Sequence, residues 1–168
     1  ENNADEIDIC INRGLFLQGN KDAVAQEVRE IKYLIESSNK NIRLKVILEV
    51  GELVSFKNIF QASVLCLENG ADFIKTSTGK IEKGADIYST IVMLLAIREY
   101  YHKTGVLKGV KVAGGIKTAE EAILYNNLYK YFITSNFDNT HFRIGCSQIL
   151  KKIKEKTMLS IQWAIKTL

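Results

Sequence analysis

Residues 70–80 read Gly70-Ala71-Asp72-Phe73-Ile74-Lys75-Thr76-Ser77-Thr78-Gly79-Lys80. A glycine break precedes a short apolar run, and the run ends on a lysine followed by small hydroxyl and glycine residues. This is the profile of a strand covered on both faces whose carboxyl end opens into a polar loop. Two other segments repeat it: Gly109-Val110-Lys111-Val112-Ala113-Gly114-Gly115 and Arg143-Ile144-Gly145-Cys146-Ser147. In parallel α/β folds the carboxyl ends of the strands face the site, so all three loops are expected at one end of one sheet.

Outward from these segments, short apolar runs alternate with stretches of helical period. Strands are expected at Glu6–Ile11, Leu44–Glu49, Phe73–Thr76, Gly109–Ala113 and Phe142–Gly145. Between the first two, Val24, Val28, Ile31 and Ile35 share one helical face. Ser55 can cap the next helix, with Ile59, Ala62, Ser63 and Cys66 on its apolar stripe and Gly70 as its stop. A third helix is expected from about Asp86 to His102. Thr118-Ala119-Glu120-Glu121 reads as a capping box opening the fourth, and the last begins near Ser147 and runs towards Trp163. The strands recur at roughly 28 to 38 residues, the spacing of a βα unit in a (β/α)8 barrel. A doubly wound open sheet has the same alternation, so spacing alone leaves both open.

The chain has 168 residues, 46% apolar and 25% charged, with a formal net charge of +4. That suits one soluble domain over residues 1–168. Lys and Arg are interspersed with Asp and Glu, which argues against nucleic acid as a partner. No long uncharged apolar run suggests a membrane span. Cys10, Cys66 and Cys146 are far apart and form no C-x-x-C, so neither a disulfide framework nor a zinc site is expected; a reducing, cytoplasmic setting is the simplest reading. The chain contains no proline, for which we have no physical account.

Chemistry concentrates at the strand ends. Lys75 and Lys111 fall on consecutive strands and point towards one pocket, where desolvation and mutual repulsion favour the uncharged amine. Such an amine attacks a carbonyl to form an imine. Either lysine taken alone reads more readily as a strand-end residue with its head in water; it is the matched pair that brings the chemical reading level with that one. Asp8 is a carboxylate inside an apolar strand and needs a cationic or hydrogen-bonding partner, unless it sits on the strand's polar edge. Gly114-Gly115 and Gly145-Cys146-Ser147 stand where strands lead into helices, where backbone N–H groups and a helix N-terminus suit an anion. Gly79-Lys80 continues into Ile81, and no G-x-G-x-x-G occurs, so a nucleotide loop is not indicated. His102 and His141 lack partners at metal-ligand spacing, and no metal or cofactor is expected.

The runs Ala4–Asp8, Leu44–Glu49, Gly70–Gly79, Lys111–Thr118 and Arg143–Ser147 resemble, in order, those of the deoxyribose-phosphate aldolases. The resemblance implies a (β/α)8 TIM barrel, of which this chain supplies the last five βα units (strands 4–8). Three units that precede the Asp8 strand in the family are absent from this sequence. It further implies class I, metal-independent cleavage of 2-deoxyribose 5-phosphate to glyceraldehyde 3-phosphate and acetaldehyde. By motif, Lys75 is the Schiff-base lysine, Lys111 the second lysine that tunes it, and Asp8 the carboxylate of the proton relay. Thr78, Gly79, Lys80, Gly114, Gly115, Gly145 and Ser147 line the sugar-phosphate site, and a homo-oligomer is expected. The rival reading is a catalytically inactive half-barrel that binds sugar phosphates or serves as a scaffold.

Overall fold

The computed structural model describes residues 4–38, 40–136, 138–147, 149 and 151. The helix expected from Ser147 towards Trp163 lies almost wholly outside the described residues. Five strands, β1 (Glu6–Cys10), β2 (Arg43–Ile47), β3 (Phe73–Lys75), β4 (Gly109–Ala113) and β5 (Phe142–Gly145), form one sheet. All four pairings are parallel, and the spatial order is the sequence order, β1-β2-β3-β4-β5. A doubly wound sheet must reverse its strand order at a switch point. No reversal occurs, so the alternative left open by spacing is excluded and the sheet is an arc of a barrel.

Helices connect the strands: α1 (Arg13–Leu17), α2 (Lys21–Ser37), α3 (Phe56–Glu68), α4 (Ile87–Thr104) and α5 (Ala119–Phe132). Each of the four longer helices begins where a side chain accepts from an otherwise orphaned backbone N–H. Asn20 takes Ala23 N–H, Ser55 takes Asn58 N–H, Asp86 takes Ser89 N–H, and Thr118 with Glu121 completes the capping box. Gly105, at φ 73°, closes α4 in the left-handed conformation that glycine adopts without steric cost. The short α1 and a 3-10 turn at Val50–Glu52 were not anticipated; neither is long enough to show a period.

One face of the sheet packs on the helices. Leu44, Val46, Ile74, Val110 and Val112 are fully buried there, against Val28, Ala62, Cys66, Met93, Leu94 and Ile97. The stripe expected on α3, Ile59, Ala62, Ser63 and Cys66, is buried, and Leu67 joins it. The alternate residues, at period two, form the inner face. Arg143 on β5 meets Glu6 on β1 at 2.5 Å. Four strand spacings in a flat sheet would separate β1 from β5 by roughly 19 Å, beyond the combined reach of the two side chains. The sheet is therefore curled so that its two outer strands face each other across the interior. Among the described residues no helix is long and apolar enough to cross a membrane.

Candidate active site

Strand register places the two lysines. Lys75 is the residue of β3 directly opposite Lys111 on β4, and Lys111 in turn stands opposite Arg143 on β5. Because successive side chains alternate across a strand, all three belong to the inner face at one level. Lys75 Nζ lies 3.4 Å from an Asp8 carboxylate oxygen, and the other oxygen of Asp8 lies 2.9 Å from Lys45 Nζ. Asp8 is thus not an idle edge residue. The partner required by a carboxylate in an apolar strand is a pair of lysines.

Lys45 was not singled out from the sequence. It is only 3% exposed and bridges Asp8 and Glu6, with 2.6 Å to the latter. Its local signal is a lysine between Leu44 and Val46 in a strand otherwise buried, since a charge at such a position must be paired. Glu6, two residues before Asp8 and so on the same face, continues the chain of charges to Arg143. Burial pushes the Glu6 carboxyl up, but the bonds and charges of Arg143 and Lys45 outweigh it and hold it below the usual range. Burial, and then the positive charges of Lys75, Lys45 and Arg143, lower the pKa of Lys111; Asp8 acts in the opposite sense.

Above this lattice, at the carboxyl ends of β3, β4 and β5, lies an open cavity of about 380 Å³. Lys75, Thr78, Gly79, Lys111, Gly114, Gly115, Gly145 and Ser147 all line it. Gly114 (φ 97°) and Gly115 (φ 81°) form consecutive left-handed turns, a backbone that side chains adopt rarely. A Cβ on Gly145 would come within 2.7 Å of the Ala113 Cβ and 3.0 Å of Lys111 Cε, so glycine there leaves room for the lysine. Lys80 is exposed and lies outside the cavity wall, its backbone N–H donating to the Thr78 hydroxyl at 3.1 Å. Among the described residues no group of three or more His, Cys, Asp or Glu is placed to hold a metal ion. The arrangement suits covalent amine chemistry: an amine near a carboxylate, a second lysine beside it, and glycine turns around the space in front.

Comparison with known proteins supplies the affiliation. Residues 1–126 match the model of the DeoC/LacD family aldolase. The chain is 41% identical over 157 residues to the deoxyribose-phosphate aldolase of Mus musculus and 39% identical to that of Homo sapiens, covering 93% of this chain and 48% of each relative. It thus spans about half the length of the curated relatives it matches. Among solved structures, a Toxoplasma gondii protein provisionally named a deoxyribose-phosphate aldolase, in its apo form, superposes with a TM-score of 0.79 at 26% identity, over 91% of this chain and 60% of that one. The deoxyribose phosphate aldolase of Aeropyrum pernix, described as having a unique tetrameric structure, superposes with a TM-score of 0.63 at 26% identity over 83% and 50%. With a curled parallel sheet in sequential order, paired lysines at its carboxyl end and the family match over three quarters of its length, this chain belongs to the DeoC/LacD family of aldolases.

Proposed function

We propose that the protein is a class I aldolase that cleaves 2-deoxy-D-ribose 5-phosphate to D-glyceraldehyde 3-phosphate and acetaldehyde, with Lys75 as the Schiff-base residue. The observation that carries this reading is Lys75 opposite Lys111, within 3.4 Å of Asp8, at the wall of a glycine-lined cavity. On the inner strand face Arg43, Lys45, Lys75, Lys111 and Arg143 stand against Glu6 and Asp8, a formal excess of three positive charges that suits a phosphorylated substrate.

In this reading the uncharged Lys75 amine adds to the C1 aldehyde, giving a carbinolamine. Loss of water, with protons passed through Asp8, Lys111 and a water, leaves a protonated imine. Removal of the C3 hydroxyl proton then breaks the C2–C3 bond. Its electrons flow into the iminium to give an enamine as glyceraldehyde 3-phosphate departs. Protonation at C2 and hydrolysis release acetaldehyde and restore the amine. The iminium performs the task of a Lewis acid, so the reaction is metal-independent. Thr78, Gly79, Gly114, Gly115, Gly145 and Ser147 hold the sugar phosphate, and the exposed Lys80 adds positive charge from outside the cavity wall. A reducing, cytoplasmic setting fits three widely spaced, unpaired cysteines, and homo-oligomerisation fits the tetrameric Aeropyrum pernix relative.

Borohydride reduction in the presence of acetaldehyde, followed by peptide mass mapping, tests the assignment. An ethyl adduct on Lys75, insensitive to chelator and abolished in Lys75→Ala, is the expected result. No adduct, with retained sugar-phosphate binding, would favour the inactive half-barrel instead.

A further inference from the structure

Glu49, which the catalytic reading leaves without a role, is only 2% exposed and follows β2 with φ at 54°, the left-handed region. A non-glycine residue in that conformation persists where its surroundings over-determine it, often beside a functional site. What holds it is Thr78. The Thr78 backbone N–H donates to both carboxylate oxygens at 3.2 Å, and the Thr78 hydroxyl donates to one of them. The same hydroxyl oxygen accepts the Lys80 N–H at 3.1 Å. A single buried carboxylate therefore fixes the turn Thr78-Gly79-Lys80 from beneath. It also uses up two of the turn's three backbone donors, Thr78's directly and Lys80's through the hydroxyl. Among the described residues the third, Gly79 N–H, takes no protein acceptor, and Gly79 lines the cavity together with Lys75, Gly114 and Gly115.

Two glycine contacts support the rest of this loop. A Cβ on Gly51 would lie 2.4 Å from the Lys83 carbonyl oxygen, and Gly84 packs backbone-to-backbone on Gly114, where Ala85 N–H donates to Gly114 O at 2.9 Å. Of the three supports, only the one under Thr78 runs through a side chain that can be altered without adding bulk.

We infer that Glu49 is a positioning residue for the phosphorylated end of the substrate, acting through Thr78 to set the turn whose Gly79 N–H meets the anion. The inference rests on the aldolase reading above. It predicts a division between the two ends of the site. The turn serves anion binding, whereas the Lys75 amine and its Asp8 partner are held separately by the strands and by Lys45.

The test compares wild type, Glu49→Gln, Thr78→Val and the Glu49→Gln/Thr78→Val double variant in the full chain. Each is assayed for Lys75 trapping by borohydride with acetaldehyde, which carries no phosphate, for inhibition by inorganic phosphate, and for KM and kcat on deoxyribose phosphate. Glu49→Gln is expected to weaken phosphate inhibition and raise KM roughly tenfold, the loss of about one hydrogen bond's worth of geometry, while kcat and acetaldehyde trapping hold near wild type. Thr78→Val should weaken phosphate inhibition and raise KM to the same extent, and the double variant should be no worse than either single one. Unchanged or tighter phosphate inhibition in Glu49→Gln would overturn the inference, since the carboxylate would then be irrelevant to the anion or simply repel it. Additive effects in the double variant would overturn it too. Absence of trapping in the wild type would instead sink the aldolase reading itself.

Discussion

Lys111 is the ionisable residue at which fold and chemistry pull in opposite directions. Burial first, and then the cations Lys75, Lys45 and Arg143, hold its pKa below the usual lysine range. In the unfolded chain a lysine titrates near ~10.4, so the folded protein gives up this proton at lower pH than the unfolded one does. Stability therefore rises with pH between the two values, and it is lost as pH falls through the folded one. Lys111→Met removes that penalty. On the acid side of the folded pKa the variant should melt above the parent by on the order of a few °C, and the gap should close towards pH ~10–11. Aldol cleavage should fall roughly 10²-fold or more if Lys111 takes part in proton transfer. Melting curves across pH and steady-state rates check both halves; a variant less stable at every pH would show Lys111 held by favourable contacts instead.

At the scale of elements, β3 and β4 approach through a glycine. Gly109 stands opposite Phe73, which is 1% exposed, and a Cβ on Gly109 would lie 2.4 Å from the aromatic ring. The ring cannot simply swing aside, because the Arg143 guanidinium sits 4.5 Å from its centroid and Lys45 Nζ lies 6.0 Å away. Gly109→Ala should therefore overpack the interior and cost about 1–3 kcal/mol, measured as a shift in denaturant midpoint with unchanged slope. No loss would mean that Phe73 repacks freely. Strands β2, β3 and β4 were legible in the sequence because most of their residues are buried, which makes them nearly continuous apolar runs, whereas β1 leaves Ile7 and Asp8 exposed. The observed bounds differ from the expected ones by one or two residues at several ends, for example Arg43–Ile47 against the expected Leu44–Glu49. Glu49 leaves the strand because its left-handed backbone breaks the extended geometry, which an apolar pattern does not reveal.

For the whole molecule, curvature is the decisive property. The chain of charges from Arg143 through Glu6, Lys45 and Asp8 to Lys75 crosses from β5 to β1 and on to β3, and closes only if the sheet is curled. A double-mutant cycle between Glu6→Gln and Arg143→Met measures that closure, with an expected coupling of about 1–3 kcal/mol. Additivity within ~0.5 kcal/mol would mean that the two outer strands do not meet in solution.

The sequence by itself determined the succession of strands and helices, the helix starts at Ser55 and Thr118, the lysines at the strand ends and the family to which their motifs belong. These are local properties, set by the period of burial and by caps within three residues of the groups they satisfy. Only the tertiary structure decided the strand order that excludes a doubly wound sheet. It alone also decided the register that sets Lys75 against Lys111, the pairing of Asp8 with Lys45 as well as Lys75, and the hold of Glu49 on Thr78. Those contacts join residues separated by 29 to 67 positions. A charge buried in a strand announces that it needs a partner, but which residue answers depends on how the chain brings distant strands onto one inner face.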